Sequence, residues 1–150
     1  GSTFTIYLPA VNESRVESLS VPETVEKGHG TVLIVDDEEF VLKPNKKLLS
    51  KNGYNVLTAS SGEEALEKYS NKLDSIDIAL IDMIMPGMQA ADIYDGLLSI
   101  NPAVKVLLSS GFSIDRQTSE VLIRGCKGFI QKPFNMKDLA DKIDEILDIK

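Results

Sequence analysis

From Thr31 onward, short apolar runs alternate with longer stretches in which apolar residues recur at helical spacing. The runs are 31–35 (TVLIV), 54–58 (YNVLT), 77–81 (DIALI), 104–108 (VKVLL) and 127–130 (KGFI). Three of them are apolar almost end to end, as parallel strands covered on both faces are. Between them lie amphipathic patterns. Ser61-Gly62-Glu63-Glu64 reads as a capping box, followed by Ala65, Leu66, Tyr69 and Leu73 on one helical face. Near the end, Asn135 stands as a cap before a stripe of Met136, Leu139, Ala140, Ile143, Ile146 and Leu147. Three further helices are expected around 39–52, 89–100 and 114–124. A strand–helix unit repeated five times predicts an α/β fold, a doubly wound five-stranded parallel sheet with right-handed crossovers.

The chain divides near residue 30. Residues 12–30 are polar and broken by Pro and Gly, which is linker composition. Ahead of them, residues 1–11 alternate Phe4, Ile6 and Leu8 with Thr3, Thr5 and Tyr7, a strand pattern. The expected division is therefore a strand-like segment 1–11, a linker 12–30 and a folded domain 31–150.

Composition narrows the function. Among 150 residues, 43% are hydrophobic and 26% charged, so a core can form without metal or disulfide staples. A net charge of −7 argues against nucleic acid and against direct contact with an anionic membrane surface, both of which need a basic face. The single cysteine, Cys126, cannot form an internal disulfide and fits a reducing, cytoplasmic setting.

In doubly wound folds the functional crevice lies beyond the carboxyl ends of the strands. Strand 1 ends there in Asp36-Asp37, strand 3 in Asp82, and strand 4 in Ser109-Ser110-Gly111; Lys132-Pro133-Phe134 follows strand 5. Three carboxylates at one edge repel, and a divalent cation with a lysine would neutralise them. An all-oxygen donor set with room for water suits Mg²⁺. A carboxylate beside Mg²⁺ can also attack phosphorus, and Asp82, alone on the middle strand, is the expected nucleophile. Lys132 and a hydroxyl would balance the phosphoryl oxygens. The bland alternatives are an acidic helix start for Asp36-Asp37, a solvated lysine, and a turn serine.

These residues resemble the receiver domain of two-component response regulators. The likeness rests on "VDD" after strand 1, "IDMIMPGM" around Asp82, "SSG" after strand 4 and "GFIQKPF" at 128–134, in order and over the whole domain. It implies a flavodoxin-like (βα)5 fold. It implies that Asp82 is phosphorylated by a phosphohistidine donor, a histidine kinase or a histidine phosphotransfer domain. Asp36, Asp37 and Asp82, with the backbone carbonyl of Ile84, would hold Mg²⁺, and Lys132 would pair with the phosphoryl group. Ser110, rather than Ser109, fits the family's hydroxyl position because Gly111 follows it. Ser110 and Phe129 would act as the switch pair. The chemistry implied for the domain is self-phosphorylation and autodephosphorylation only.

Residues 1–11 also resemble the last strand of a histidine-kinase ATP-binding domain. By that resemblance the chain is the carboxyl-terminal receiver of a hybrid sensor kinase, whose parent could be membrane-anchored. With no output domain after Lys150, an intermediate relay or a regulator of its own kinase is expected. An unpaired strand 3–8 can also pair with another chain, a homodimer included.

Two departures from the family pattern stand out. Pro44 falls inside helix 1, where it is expected to kink or delay the helix. Gln89-Ala90 follows "MPGM" where the family often has Asp-Gly, altering the start of helix 3. Two other functions compete. A haloacid-dehalogenase-type phosphatase needs an acid two residues after its nucleophile, and Ile84 stands there. A pseudo-receiver of the same fold would never be phosphorylated. His29 reads as a linker residue, and Met83, Met85 and Met88 as loop packing.

Overall fold

The computed structural model describes residues 28–111 and 116–148. The strand-like segment 1–11 and most of the linker lie outside them. Five strands and five helices alternate: β1 Thr31–Val35, α1 Glu39–Lys51, β2 Asn55–Ala59, α2 Gly62–Asn71, β3 Ile78–Asp82, α3 Ala90–Ile100, β4 Val106–Ser110, α4 Arg116–Ile123, β5 Gly128–Gln131 and α5 Met136–Leu147. The strands form one parallel sheet in the order β2-β1-β3-β4-β5.

Strand periodicity divides the core into two layers, because successive side chains point to opposite faces. Leu33, Val35, Ala79, Ile81, Val106 and Leu108 pack on one face with Ala65 and Tyr69 of α2, Ile93, Tyr94 and Leu97 of α3, and Val121 of α4. Val32, Ile34, Ile78, Leu80 and Leu107 pack on the other with Leu42 and Leu49 of α1 and Leu139 and Ile143 of α5. Each Val, Leu or Ile side chain so removed from water contributes about 1.5–3 kcal/mol, which makes the central strands the rigid part of the scaffold. Met83, Met85 and Met88 pack against the first layer, as expected of loop packing. Cys126 is half-buried and donates to the Val106 carbonyl at 3.0 Å.

The strands reach further toward the site than their apolar runs do. Asp82 and Ser110 are the last residues of β3 and β4, and Asp82 sits opposite Ser109 in the ladder. Main-chain pairing is blind to side-chain polarity, so it continues past the last apolar residue.

Helix starts follow their caps. Ser61 accepts the Glu64 N–H, and Asn135 accepts the Asp138 N–H. The return half of the capping box differs from expectation: the Glu64 carboxylate accepts from Ser60, one residue ahead of the cap. α3 begins at Ala90 with Gln89 at its cap position and no side-chain bond, where the family pattern has Asp-Gly. α1 runs from Glu39 to Lys51 with Pro44 inside it, so it neither starts late nor breaks. Pro44 is exposed and removes only its own N–H, the donor that would have met the Phe40 carbonyl one turn back. Packing of Leu42 and Leu49 holds the helix across that gap.

The chain enters the domain over a tyrosine. The Gly28 N–H donates to the Asn52 carbonyl at 2.7 Å. A Cβ at Gly28 would fall 2.1 Å from the Tyr54 ring, so only glycine fits there. Tyr54 is 3% exposed and its hydroxyl donates to Asp144 of α5.

Replacing Pro44 by Ala should stabilise the domain by about 1–3 kcal/mol, because an exposed proline in a helix interior costs about that relative to alanine. Urea unfolding should show a higher midpoint with an unchanged slope.

Candidate functional site

Four side chains converge at the carboxyl edge of β1 and β3. Asp36 follows β1 directly. Its N–H donates to Ala59 at 3.1 Å, extending the β1–β2 ladder by one bond. Its Oδ1 accepts the Glu38 N–H at 2.9 Å, which ties it to the start of α1. Its Oδ2 accepts from Lys132 Nζ at 3.0 Å. The same Nζ donates to Asp82 Oδ1, also at 3.0 Å, so one ammonium bridges two carboxylates on neighbouring strands. Asp37 is exposed, and its carboxylate lies in a group with Asp36 and Asp82 whose oxygen atoms are within 4.8 Å of one another.

Lys132 arrives from the far side of the sheet. Its N–H donates to the Ser110 carbonyl at 2.7 Å, continuing the β4–β5 ladder, and the Lys132–Pro133 peptide is cis. Ser109 and Ser110 are both buried, at 3% and 4% exposure. Ser110 ends β4, beside the β5 that leads to Lys132. Phe129 lies half-buried in β5 against the first core layer, opposite Leu108. Ile84 leaves the site's rim with a side chain 59% exposed, while its N–H donates to the Asp82 carboxylate.

Burial pushes the Asp82 carboxyl above its ordinary value. The hydrogen bond and charge of Lys132 pull the other way, the charge of Asp36 adds to the rise, and the Ile84 N–H lowers it. Burial alone would lower Lys132, but the hydrogen bonds it donates to Asp36 and Asp82 outweigh it and raise the ammonium's value. Three carboxylates against one ammonium leave the cluster with a formal charge of −2. The donors are all hard oxygens, one of them exposed and open to water, a set that suits a divalent ion such as Mg²⁺.

A family profile described as "Response regulator receiver domain" matches residues 32–144. The chain belongs to the response regulator receiver domain family. Receiver domains hold Mg²⁺ at an acidic pocket and work with histidine kinase or phosphotransfer partners in two-component signalling, and the cluster here is of that kind. Among curated proteins, this receiver is 34% identical over 157 residues to the sensor kinase CckA of Brucella abortus, covering 99% of this chain but 17% of that protein. Among solved structures it resembles a response regulator receiver domain protein of Clostridium thermocellum at 30% identity and a TM-score of 0.76, covering 80% of this chain and 95% of that one. The CheX–CheY–BeF3–Mg²⁺ complex of Borrelia burgdorferi gives 30% identity and a TM-score of 0.74, with 81% and 90% coverage.

Of the residues expected from sequence, the receiver brings Asp36, Asp37, Asp82 and Lys132 into one cluster and places Ser110 at its edge. Phe129 lies outside the cluster, half-buried against the first core layer. Sequence reading missed the main-chain groups that aim the carboxylates: the N–H groups of Glu38 and Ile84 and the carbonyls of Ala59 and Ser110. Such groups carry no residue-type signature. Among the described residues, no helix is long and apolar enough to cross a membrane.

A carboxyl whose folded value is raised contributes stability below its unfolded value and loses it as pH climbs through the folded one. Asp82→Asn, which mimics the protonated acid, should therefore unfold at higher urea than the parent at neutral pH in EDTA buffer. The gain should fade as pH drops below the ordinary aspartate range, and added Mg²⁺ should narrow it by favouring the parent.

Proposed function

We propose that this receiver is a phosphoacceptor in a two-component phosphorelay, with Asp82 as the residue that takes the phosphoryl group from a phosphohistidine. The observation that carries the reading is the bridging of Asp36 and Asp82 by one lysine beside a third carboxylate. Asp36, Asp37, Asp82 and the Ile84 carbonyl would hold Mg²⁺. When bound, that ion screens the cluster's negative charge and that of the incoming phosphoryl group.

The chain's own residues then do the positioning. An Asp82 oxygen forms the new O–P bond as the histidine N–P bond breaks, and the electron pair of the broken bond stays on the imidazole nitrogen. Lys132 shifts its donated hydrogen bonds from the Asp82 carboxylate toward the phosphoryl oxygens. The Ser110 hydroxyl, at the end of β4, donates to another of them. Phe129, opposite Leu108 two residues back along β4, responds to that movement and alters the surface of α4, β5 and α5. The donor approaches over the first turn of α1, where Phe40 is 73% exposed three residues from Asp37.

Alignment of 99% of the chain with a sensor kinase supports the origin of this receiver in a hybrid kinase. In that reading residues 1–11 are the end of the ATP-binding domain and 12–30 the linker. The parent works at the cytoplasmic side of a membrane, and the donor is a histidine kinase or a histidine phosphotransfer domain.

Incubation with Mg²⁺ and acetyl phosphate should add one phosphoryl mass to the intact protein. Asp82→Asn should abolish the adduct, and Lys132→Met should slow its formation about 100-fold, as removal of one preorganised charge-stabilising donor does. Absence of any adduct would favour a pseudo-receiver, and turnover of many phosphate esters a phosphatase.

A further inference from the structure

We infer that Lys68 and Glu64 of α2 are positioning residues for Asp36; this rests on the Mg²⁺ reading above. Three consecutive residues at the end of β2 are held in alternation. Lys68 Nζ donates to the Thr58 carbonyl at 2.6 Å. The Glu64 carboxylate accepts from the Ser60 N–H at 2.7 Å and from its hydroxyl at 2.9 Å. Between these anchors lies Ala59, 1% exposed, whose carbonyl receives the Asp36 N–H at 3.1 Å.

The geometry follows from β2 being the edge strand of the sheet. Alternate carbonyls of an edge strand face outward and find no strand partner. Thr58 presents such a carbonyl, and Lys68 occupies it. Ala59 presents the next carbonyl inward, to the residue that starts the metal cluster. Lys68 and Glu64 are themselves paired at 2.6 Å, so both anchors move as one unit. Glu64 stays ionised, since the hydrogen bond from Lys68 and then those from Ser60 hold its carboxyl down to about 2.

The carboxylate of Asp36 is fixed at both oxygens by Glu38 and Lys132, so its remaining freedom is that of its main chain. A binding constellation tolerates displacement of only about 0.5 Å. The start of α2 also reaches the loop after Asp82. At Gly62 a Cβ would come within 2.8 Å of Met88 Sδ, so α2 abuts the segment that carries Ile84 as well. Helix α2 thus braces the site from behind although none of its side chains is in the cluster.

Electrostatics and positioning predict opposite signs. Removing the Lys68 charge makes the neighbourhood more negative, and by the field alone would tighten Mg²⁺ binding. Loss of the anchor would weaken it. Calorimetric titration of the full chain with MgCl₂ should show Lys68→Met binding about tenfold more weakly, the lower end of what outer-shell partners cost, with Lys68→Arg restoring most of the affinity. Lys43→Met removes the same charge from an exposed pair on α1 and should leave the affinity unchanged or slightly tighter. Amide hydrogen exchange at Asp36 should quicken in Lys68→Met, while that of Leu33 in the middle of β1 should not. Unchanged or tighter Mg²⁺ binding by Lys68→Met, with stability alone reduced, would overturn the assignment. Failure of the parent chain to bind Mg²⁺ at all would instead remove the metal reading, and this assignment with it.

Discussion

One ammonium shared by two buried carboxylates is the interaction on which the carboxyl edge of this sheet depends. Asp36 and Asp82 end neighbouring strands, and their side chains are 4% and 10% exposed. Two carboxylates so placed would drive each other toward protonation. Lys132, carried in from β5, donates to both carboxylates and limits the rise at Asp82. The lysine spans β1 and β3 from the far side of β4, so the balance holds only while the central strands keep their register. The apolar layers above and below the sheet enforce that register, because a slip of one residue would turn Leu33 and Val35 out of their layer. Core packing and site electrostatics are in this sense a single constraint.

Charge balance also explains why the cluster remains incomplete by itself. With one cation against three carboxylates, an acidic excess is left at the mouth, on the exposed Asp37. A divalent ion and a phosphoryl group are complementary additions to such a site, the first removing negative charge and the second returning it. The bridging hydrogen bonds of Lys132 are already directed at the oxygens that would be redistributed.

Much of this was legible from residue order. Near-continuous apolar runs marked buried parallel strands, since both faces are covered, and Ser61 and Asn135 marked helix starts because caps are side-chain chemistry. Asp36, Asp37, Asp82 and Lys132 were legible because the fold class places strand ends together. What escaped was main-chain work. The strands run on to Asp82 and Ser110 because ladder bonds ignore side-chain polarity. Helix α1 persists through Pro44 because Leu42 and Leu49 are buried on its inner face, a tertiary gain that local propensity does not contain. Glu64 reaches back to Ser60 rather than to the cap itself, a difference of one residue that no spacing rule resolves. The strand pattern at 1–11 lies outside the described residues.

The glycine seated on Tyr54 bears on where this domain begins. Judged by regular structure, the fold would start at Thr31. Judged by what shields the ring, it includes Gly28, whose main chain covers the tyrosine and bonds Asn52. A shortened chain beginning at the first strand would leave an aromatic face wet and α5 tethered, through Asp144, to an uncovered partner. The folded unit therefore takes in a residue without a side chain, in a stretch that reads as spacer.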